Sequence, residues 1–282
     1  MKVADAMTPR ESLVTATVPG TREDVLDRLQ DNEFSSVPVV KETDDGEEFR
    51  GLVSREQLID QPDEDQLALL VVEVEPVTSA DDLAAVAELI REKGQRRVPV
   101  VDDGALVGIV TITDVVRAMA NGDVDGDSEV GPLAKTAVNC VYQETPITVA
   151  ERELAYAQEA YGVVLDDEGT SVGMLTEVDL LDVARIVEGE ESTGDSIADE
   201  DDDWKWEGIK AIGSRYLPTR NVELPAVPVS EVMTDGLVTV SRTKTATEAA
   251  QLMISKDIEQ IPLMNGDELV GILRDTDLLE AL

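Results

Sequence analysis

Four short segments of this 282-residue chain set a hydroxyl or a guanidinium three residues ahead of a carboxylate or an amide: Ser54-x-x-Gln57, Thr111-x-x-Asp114, Thr176-x-x-Asp179 and Arg274-x-x-Asp277. Each closes a run that opens with glycine and two apolar residues: G-L-V-S-R-E-Q from Gly51, G-I-V-T-I-T-D from Gly108, G-M-L-T-E-V-D from Gly173 and G-I-L-R-D-T-D from Gly271. A hydroxyl at a helix start, with an acid one turn inside, has two chemical readings. As a capping box, the hydroxyl accepts from a free helix amide and the acid favours the positive end of the dipole. As a ligand site, the amides and hydroxyl meet a phosphate, and the ionised carboxylate accepts from both hydroxyls of a ribose. The copies differ. Ser54 still caps a helix, but Gln57 has lost the carboxylate, so the first site is expected to be weak or absent. Asp277 keeps the carboxylate while Arg274 removes the hydroxyl, so capping is not expected to explain Asp277. Arg274 either grips phosphate through two donors or points to solvent.

Other chemistry is sparse. The chain has no His, which removes the usual general base, the commonest transition-metal ligand and every Ser-His or Cys-His pair. Its one cysteine, Cys140, excludes an internal disulfide and a Cys-based zinc site. Cys140 stands in the apolar run N-C-V-Y and is expected to be a buried structural thiol. There is no G-x-x-x-x-G-K-[ST] loop and no nucleophile-base pair, so catalysis is not expected. The pairs Asp44-Asp45, Asp102-Asp103 and Asp166-Asp167 read as turn acids; no metal site is expected from them.

Periodic segments must position the four junctions. Leu83, Val86, Ala87 and Ile90 recur at helical spacing, as do Ala246, Ala249, Ala250 and Met253. Val98–Val101 and Leu106–Thr111 are β-branched runs around Asp102-Asp103-Gly104, a hairpin signal. An apolar-Pro-apolar triplet precedes three junctions, at Pro38, Pro99 and Pro262; the third has V-V-L near Val163 and no proline. The first and last copies open alike, with A-M-T at Met7 and V-M-T at Met233. Each unit therefore reads strand, helix, strand, strand, helix. Such a unit buries too little surface alone, so units are expected to pair. In the third copy the interval from Leu154 to Val163 predicts a shortened first helix, and a cleft distorted or filled by Tyr161.

This β-α-β-β-α repeat, with its apolar-Pro-apolar strand and G-h-h-[ST]-x-x-D junction, resembles the CBS (cystathionine β-synthase) domain, and in particular stand-alone halophile-type archaeal CBS-pair proteins. The resemblance spans about 3–60, 67–120, 130–187 and 228–282. It implies an α/β (α+β) fold of four motifs in two modules, a first pair over 1–125 and a second over 126–282, packed as a flat disc within the chain or as a homodimer. It also implies an adenosine-containing regulatory ligand (AMP, ADP, ATP or S-adenosylmethionine) in clefts between paired motifs, with no required cofactor. In the family the Thr/Ser faces phosphate, the Asp holds ribose and the triplet's backbone lies against the base. That carries over to Val98, Pro99, Thr111 and Asp114 in the second motif. In the third it carries over to Thr176 and Asp179, and in the fourth to Ile261, Pro262, Arg274 and Asp277. The ligand state would then be passed to a partner protein of unknown identity. A ligand-free scaffold or dimerisation module for an enzyme or transporter is the alternative.

Charge sets the medium. With 23 Lys+Arg against 61 Asp+Glu the formal net charge is −38, which opposes nucleic acid and anionic membranes. The longest apolar run, Leu67–Val72, is too short to span a bilayer, and the N-terminus lacks a signal-like stretch, so a cytoplasmic location is expected. Residues 188–203 hold nine acids and no base and read as a mobile acidic linker. The next segment, 204–227, carries Lys205, Lys210, Arg215 and Arg220 with Trp204, Trp206 and Tyr216; it reads as an arm that packs on a module or docks a ligand. Acids spread over apolar, periodic segments fit a folded protein of a salt-rich cytoplasm, since at about 1 M salt the Debye length is roughly 3 Å. Dilution should therefore unfold the chain. Circular dichroism followed from about 3 M KCl down to about 50 mM is expected to lose its folded signal as screening is withdrawn; an unchanged spectrum would contradict this.

Overall fold

The computed structural model describes residues 1–31, 36–44, 46–54, 58, 64–183, 185–188, 220–266 and 268–282. The periodic segments form an α/β fold of four repeated motifs. The first holds α1 (Val3–Ala6), β1 (Thr8–Pro9), β2 (Ala16–Val18), α2 (Arg22–Asp31), β3 (Ser36–Thr43) and β4 (Gly46–Ser54). The second holds α3 (Leu67–Leu70), α4 (Leu83–Lys93), β5 (Arg97–Asp102), β6 (Ala105–Thr111) and α5 (Ile112–Asn121). The third holds β7 (Cys140–Tyr142), α6 (Ile147–Ala157), β8 (Tyr161–Leu165), β9 (Ser171–Thr176) and α7 (Glu177–Val183). A hairpin of β10 (Arg185–Glu188) and β11 (Arg220–Glu223) follows. The fourth motif is β12 (Thr234–Asp235), β13 (Val240–Ser241), α8 (Ala246–Lys256), β14 (Gln260–Asn265), β15 (Glu268–Arg274) and α9 (Asp275–Leu278). Most of the acidic linker and of the aromatic-basic arm lies outside the described residues, as does Gln57.

Within each motif a short lead segment pairs in parallel with the first strand of the hairpin: Ala16 with Val39, Val77 with Val100, Val141 with Val164 and Val240 with Leu263. The hairpin signal at Asp103-Gly104 is a two-residue turn with both residues at positive φ, 50° and 85°, the twist that suits antiparallel strands. The Asp166 carboxylate accepts from the backbone N–H groups of Glu168 (2.9 Å) and Thr170 (2.8 Å), which makes it a turn acid. Among the described residues no acidic cluster is arranged to hold a metal ion.

Two expectations are corrected. The third motif's first helix is not shortened: α6 has eleven residues, as do α4 and α8. Ile147, not Leu154, is the counterpart of Leu83, and Ile147, Ala150 and Leu154 form its buried stripe. Cys140 is exposed, not buried. Side chains alternate along β7, and it is Val141 that turns inward.

The chain forms two compact units, one of Met1–Lys135 with Thr239–Leu282 and one of Thr136–Val238. In the first, a single apolar cluster joins the second and fourth motifs: Val86 and Ile90 of α4, Val115 and Met119 of α5, Ala249, Ala250 and Met253 of α8, and Ile261 of β14. The alanines of α8 let α5 approach closely, and Gln251 Nε2 donates to the Ala120 carbonyl at 3.0 Å. Each larger side chain buried there contributes about 1.5–3 kcal/mol. In the second unit Val141, Ile147, Ala150, Leu154, Val164, Leu175, Leu180 and Val229 form a separate core.

A backbone exchange runs through all four motifs. The residue after each motif glycine pairs antiparallel with a lead residue of another motif: Leu52 with Val72, Ile109 with Thr8, Met174 with Thr234 and Ile272 with Lys135. First and second motifs exchange leads, and third and fourth do the same. The glycines are needed because the incoming carbonyl lies on them. A Cβ at Gly51, Gly108, Gly173 or Gly271 would stand 2.4, 2.8, 2.7 or 2.8 Å from the carbonyl oxygen of Val72, Thr8, Thr234 or Lys135. Gly108→Ala and Gly271→Ala are each expected to destabilise by about 1–3 kcal/mol through overpacking, read as lowered Tm in high salt. Gly162→Ala, whose added methyl meets nothing closer than 3.4 Å, is the neutral control. An unchanged Tm in both glycine variants would contradict the exchange.

Candidate functional site

At the second, third and fourth junctions four elements meet: the end of the hairpin's second strand, the start of the closing helix, the start of the first hairpin strand, and the lead of another motif. The second junction is the most regular. Thr111 is the N-cap of the ten-residue α5. Its Oγ1 accepts from the Asp114 N–H at 3.4 Å, while Asp114 Oδ2 accepts from the Thr111 N–H (2.9 Å) and Oγ1 (2.8 Å). The capping box is therefore real, and it uses one carboxylate oxygen. The other, Oδ1, accepts from Arg117 Nη1 at 2.9 Å. The Arg117 side chain is 52% exposed and that of Asp114 13%, so this pair is a surface interaction of small net strength that a ligand hydroxyl could replace. Val98 and Pro99 are buried in β5, and Pro99 donates no N–H but its carbonyl accepts from Val77.

Cations stand beside this junction. Arg97 pairs in register with Thr111 across the hairpin. Its neighbour Arg96 reaches the fourth motif, with Nη2 2.6 Å from Asp275 Oδ2 and 3.2 Å from Glu259 Oε2. Burial opposes the Arg96 charge, but Asp275 and Glu259 outweigh it and hold the guanidinium above its ordinary value. Burial and the adjacent Arg96 charge instead push Arg97 below its ordinary value, with Glu259 compensating in part.

The third junction repeats the box. Asp179 Oδ2 accepts from the Thr176 N–H and Oγ1, both at 2.7 Å, and Thr234 of the exchanged lead donates to Asp179 Oδ1 at 3.1 Å. Register places Val163 where the second motif has Pro99, and Tyr161 where it has Arg97. Tyr161 is 2% exposed, so a buried ring stands opposite Thr176. At the first junction Ser54 ends β4 and the exchanged residue is the apolar Val72.

The fourth junction differs. Ile261 and Pro262 lie buried in β14, and Asp277 is 3% exposed. Asp277 Oδ2 accepts from the Arg274 N–H at 2.9 Å and from Arg274 Nε at 3.2 Å, and Oδ1 accepts from Arg274 Nη2 at 3.1 Å. Capping does explain part of Asp277: losing the hydroxyl removes only one half of the box, because the other half uses the Arg274 backbone N–H. The guanidinium turns back on the carboxylate, not out to solvent. Lys135 of the exchanged lead adds a second cation 3.7 Å from Asp277 Oδ1 and 3.6 Å from Glu280.

Sequence reading found these junctions but missed Thr8, Thr234 and Lys135; the A-M-T and V-M-T resemblance marked the first two, and nothing in the local sequence marked Lys135. A groove of about 500 Å³, lined by Thr239, Ser241, Lys244, Glu248, Gln251 and Ser255 among others, runs along β13 and α8, and no junction residue lines it. No helix among the described residues is long and apolar enough to cross a membrane.

Comparison with known proteins agrees with the repeat. The CBS domain family model matches residues 3–64, 71–121, 130–185 and 229–282. The uncharacterized protein MJ1404 of Methanocaldococcus jannaschii is 27% identical over 280 residues, covering 99% of this chain, which spans 61% of that relative's length. The crystal structure of an uncharacterized conserved protein from Pyrococcus horikoshii superposes with a TM-score of 0.69 at 28% identity, covering 99% of each chain. Protein MJ1225 of M. jannaschii, described as a candidate archaeal homologue of g-AMPK, shares the fold at a TM-score of 0.62 and 17% identity, again covering 99% of each. The four motifs, their lead exchange and the family match together place this chain in the CBS domain family.

Proposed function

We propose that the protein is a non-catalytic sensor that takes an adenosine-containing ligand (AMP, ADP, ATP or S-adenosylmethionine) at its second junction and conveys ligand state to a partner protein. The observation that carries this reading is the Thr111–Asp114 pair at the start of a ten-residue helix, with Arg97 across the hairpin. Helix amides and Arg97 supply the positive field a phosphate needs, the Asp114 Oδ1 edge supplies an acceptor for a ribose, and β5 with Pro99 supplies an apolar wall for a base. What the family resemblance implies for Val98, Pro99, Thr111 and Asp114 agrees with that arrangement. In this reading the functional modules are the pairs over 1–125 and 126–282, supported by the reciprocal exchange of leads. A ligand held between motifs biases their packing by its differential affinity for two arrangements, which is what a sensor requires. The acidic composition suits a salt-rich cytoplasm. A ligand-free scaffold is the second reading, and the carboxylate satisfied internally at the fourth junction is the observation that favours it.

Calorimetry with AMP, ATP and S-adenosylmethionine in high salt tests the proposal. Asp114→Ala is expected to weaken binding by about 1–3 kcal/mol, the range for charge-assisted hydrogen bonds. It is expected to lower Tm as well, because the capping box of α5 is lost, so binding is read on folded protein well below that Tm. Undiminished affinity would remove the ribose-acceptor role.

A further inference from the structure

We infer that the fourth junction is closed to a sugar diol by its own cations, so that Lys135 and Arg274 make it unequal to the second. The inference rests on the nucleotide reading of the second junction. Both junctions carry the carboxylate, so sequence alone ranks them together; the surroundings separate them.

At the second junction the exchanged lead presents Thr8, a neutral residue, and one oxygen of Asp114 is held only by an exposed Arg117. At the fourth the lead presents Lys135, and Arg274 binds both oxygens of Asp277. Asp277 is 3% exposed. A ribose would have to displace a guanidinium from a buried carboxylate, and the two neutral hydroxyls replacing it would leave that guanidinium without its buried counter-charge. The cation has also moved. Where the second motif has the cationic Arg97 opposite Thr111, on the strand side of the junction, the fourth has the neutral Gln260 opposite Arg274.

The helices differ in the same sense. A ten-residue helix starts at the second junction, whereas α9 is four residues long and passes into a 3-10 turn at Leu279–Ala281. Four residues sum few peptide dipoles, so little positive field remains for a phosphate. The Lys135–Asp277–Arg274 cluster instead ties the lead of the third motif to the fourth. Lys135 N–H and C=O both bond Ile272 at 2.9 Å, directly beneath the ion pairs.

Calorimetric titration of AMP and of ATP in high salt, with a melting curve for each protein, decides it. The proteins are full-length wild type, Asp277→Asn, Arg274→Thr, and the double variant Lys135→Thr/Arg274→Thr. Asp277→Asn is expected to keep wild-type stoichiometry, with affinity within about twofold, while its Tm falls. Arg274→Thr rebuilds Thr-x-x-Asp, and the double variant also rebuilds the neutral lead; the double variant is expected to bind one more nucleotide per chain, lost again when Asp277→Asn is added. A nucleotide lost from wild-type stoichiometry in Asp277→Asn overturns the inference, as does a double variant, or Arg274→Thr should the double not fold, that binds fewer nucleotides than wild type. If wild type binds neither nucleotide, the reading of the second junction falls. The inference then stands only if the double variant gains binding, and falls with it otherwise.

Discussion

A carbonyl oxygen resting on a glycine is the contact on which this molecule is organised. It occurs four times, at Gly51, Gly108, Gly173 and Gly271, and each time the carbonyl comes from the lead of another motif. No side chain fits between, so the glycine is the condition for two backbones to meet. The contact sets the pairing of motifs, because first exchanges with second and third with fourth. It also sets the composition of the junctions, because Thr234 and Lys135 reach the carboxylates of Asp179 and Asp277, five positions beyond the residues they pair with. Val72, Thr8, Thr234 and Lys135 are thus donated across motifs, and they give four copies of one architecture an apolar, two hydroxyl and one cationic neighbour.

Much of the fold is legible in the sequence because its rules are local. The apolar-Pro-apolar strands, the Asp-Gly hairpin turn and the helical stripes of α4 and α8 follow from periods of two and 3.6, and they fold as those periods dictate. Two errors are instructive. In α6 the polar Glu151 replaces the small Ala87 and Ala250 of the sister helices, which breaks the stripe and shifts the apparent start of the helix to Leu154. At Cys140 an apolar neighbourhood suggests burial, but a three-residue strand has one inward position, and Val141 takes it.

The candidate site is legible only in part, for a physical reason. The residues at each junction that belong to one motif, such as Thr111 and Asp114, are three apart and visible as a pattern. The residue from the exchanged lead is 18 to 142 positions away and is placed by sheet register, which no local spacing reveals. Arg274 shows the same limit. As a residue type it offers two donors to a phosphate, but beside a buried Asp277 its own carboxylate is the nearer anion. In a chain of −38, ion pairs of this kind gather in the unit that joins second and fourth motifs: Arg96 with Asp275 and Glu259, Arg274 and Lys135 with Asp277. Low exposure shields the Asp275 and Asp277 partners from salt more than the surrounding surface acids, so these pairs act where the medium screens the rest.

Hydrogen–deuterium exchange in high salt, with and without saturating AMP, addresses the central claim most directly, because it reports each junction separately. The account predicts slowed exchange over 108–117, the segment that carries Thr111, Asp114 and the start of α5, and no change over 271–280. Equal protection at both junctions, or none over 108–117, would contradict it.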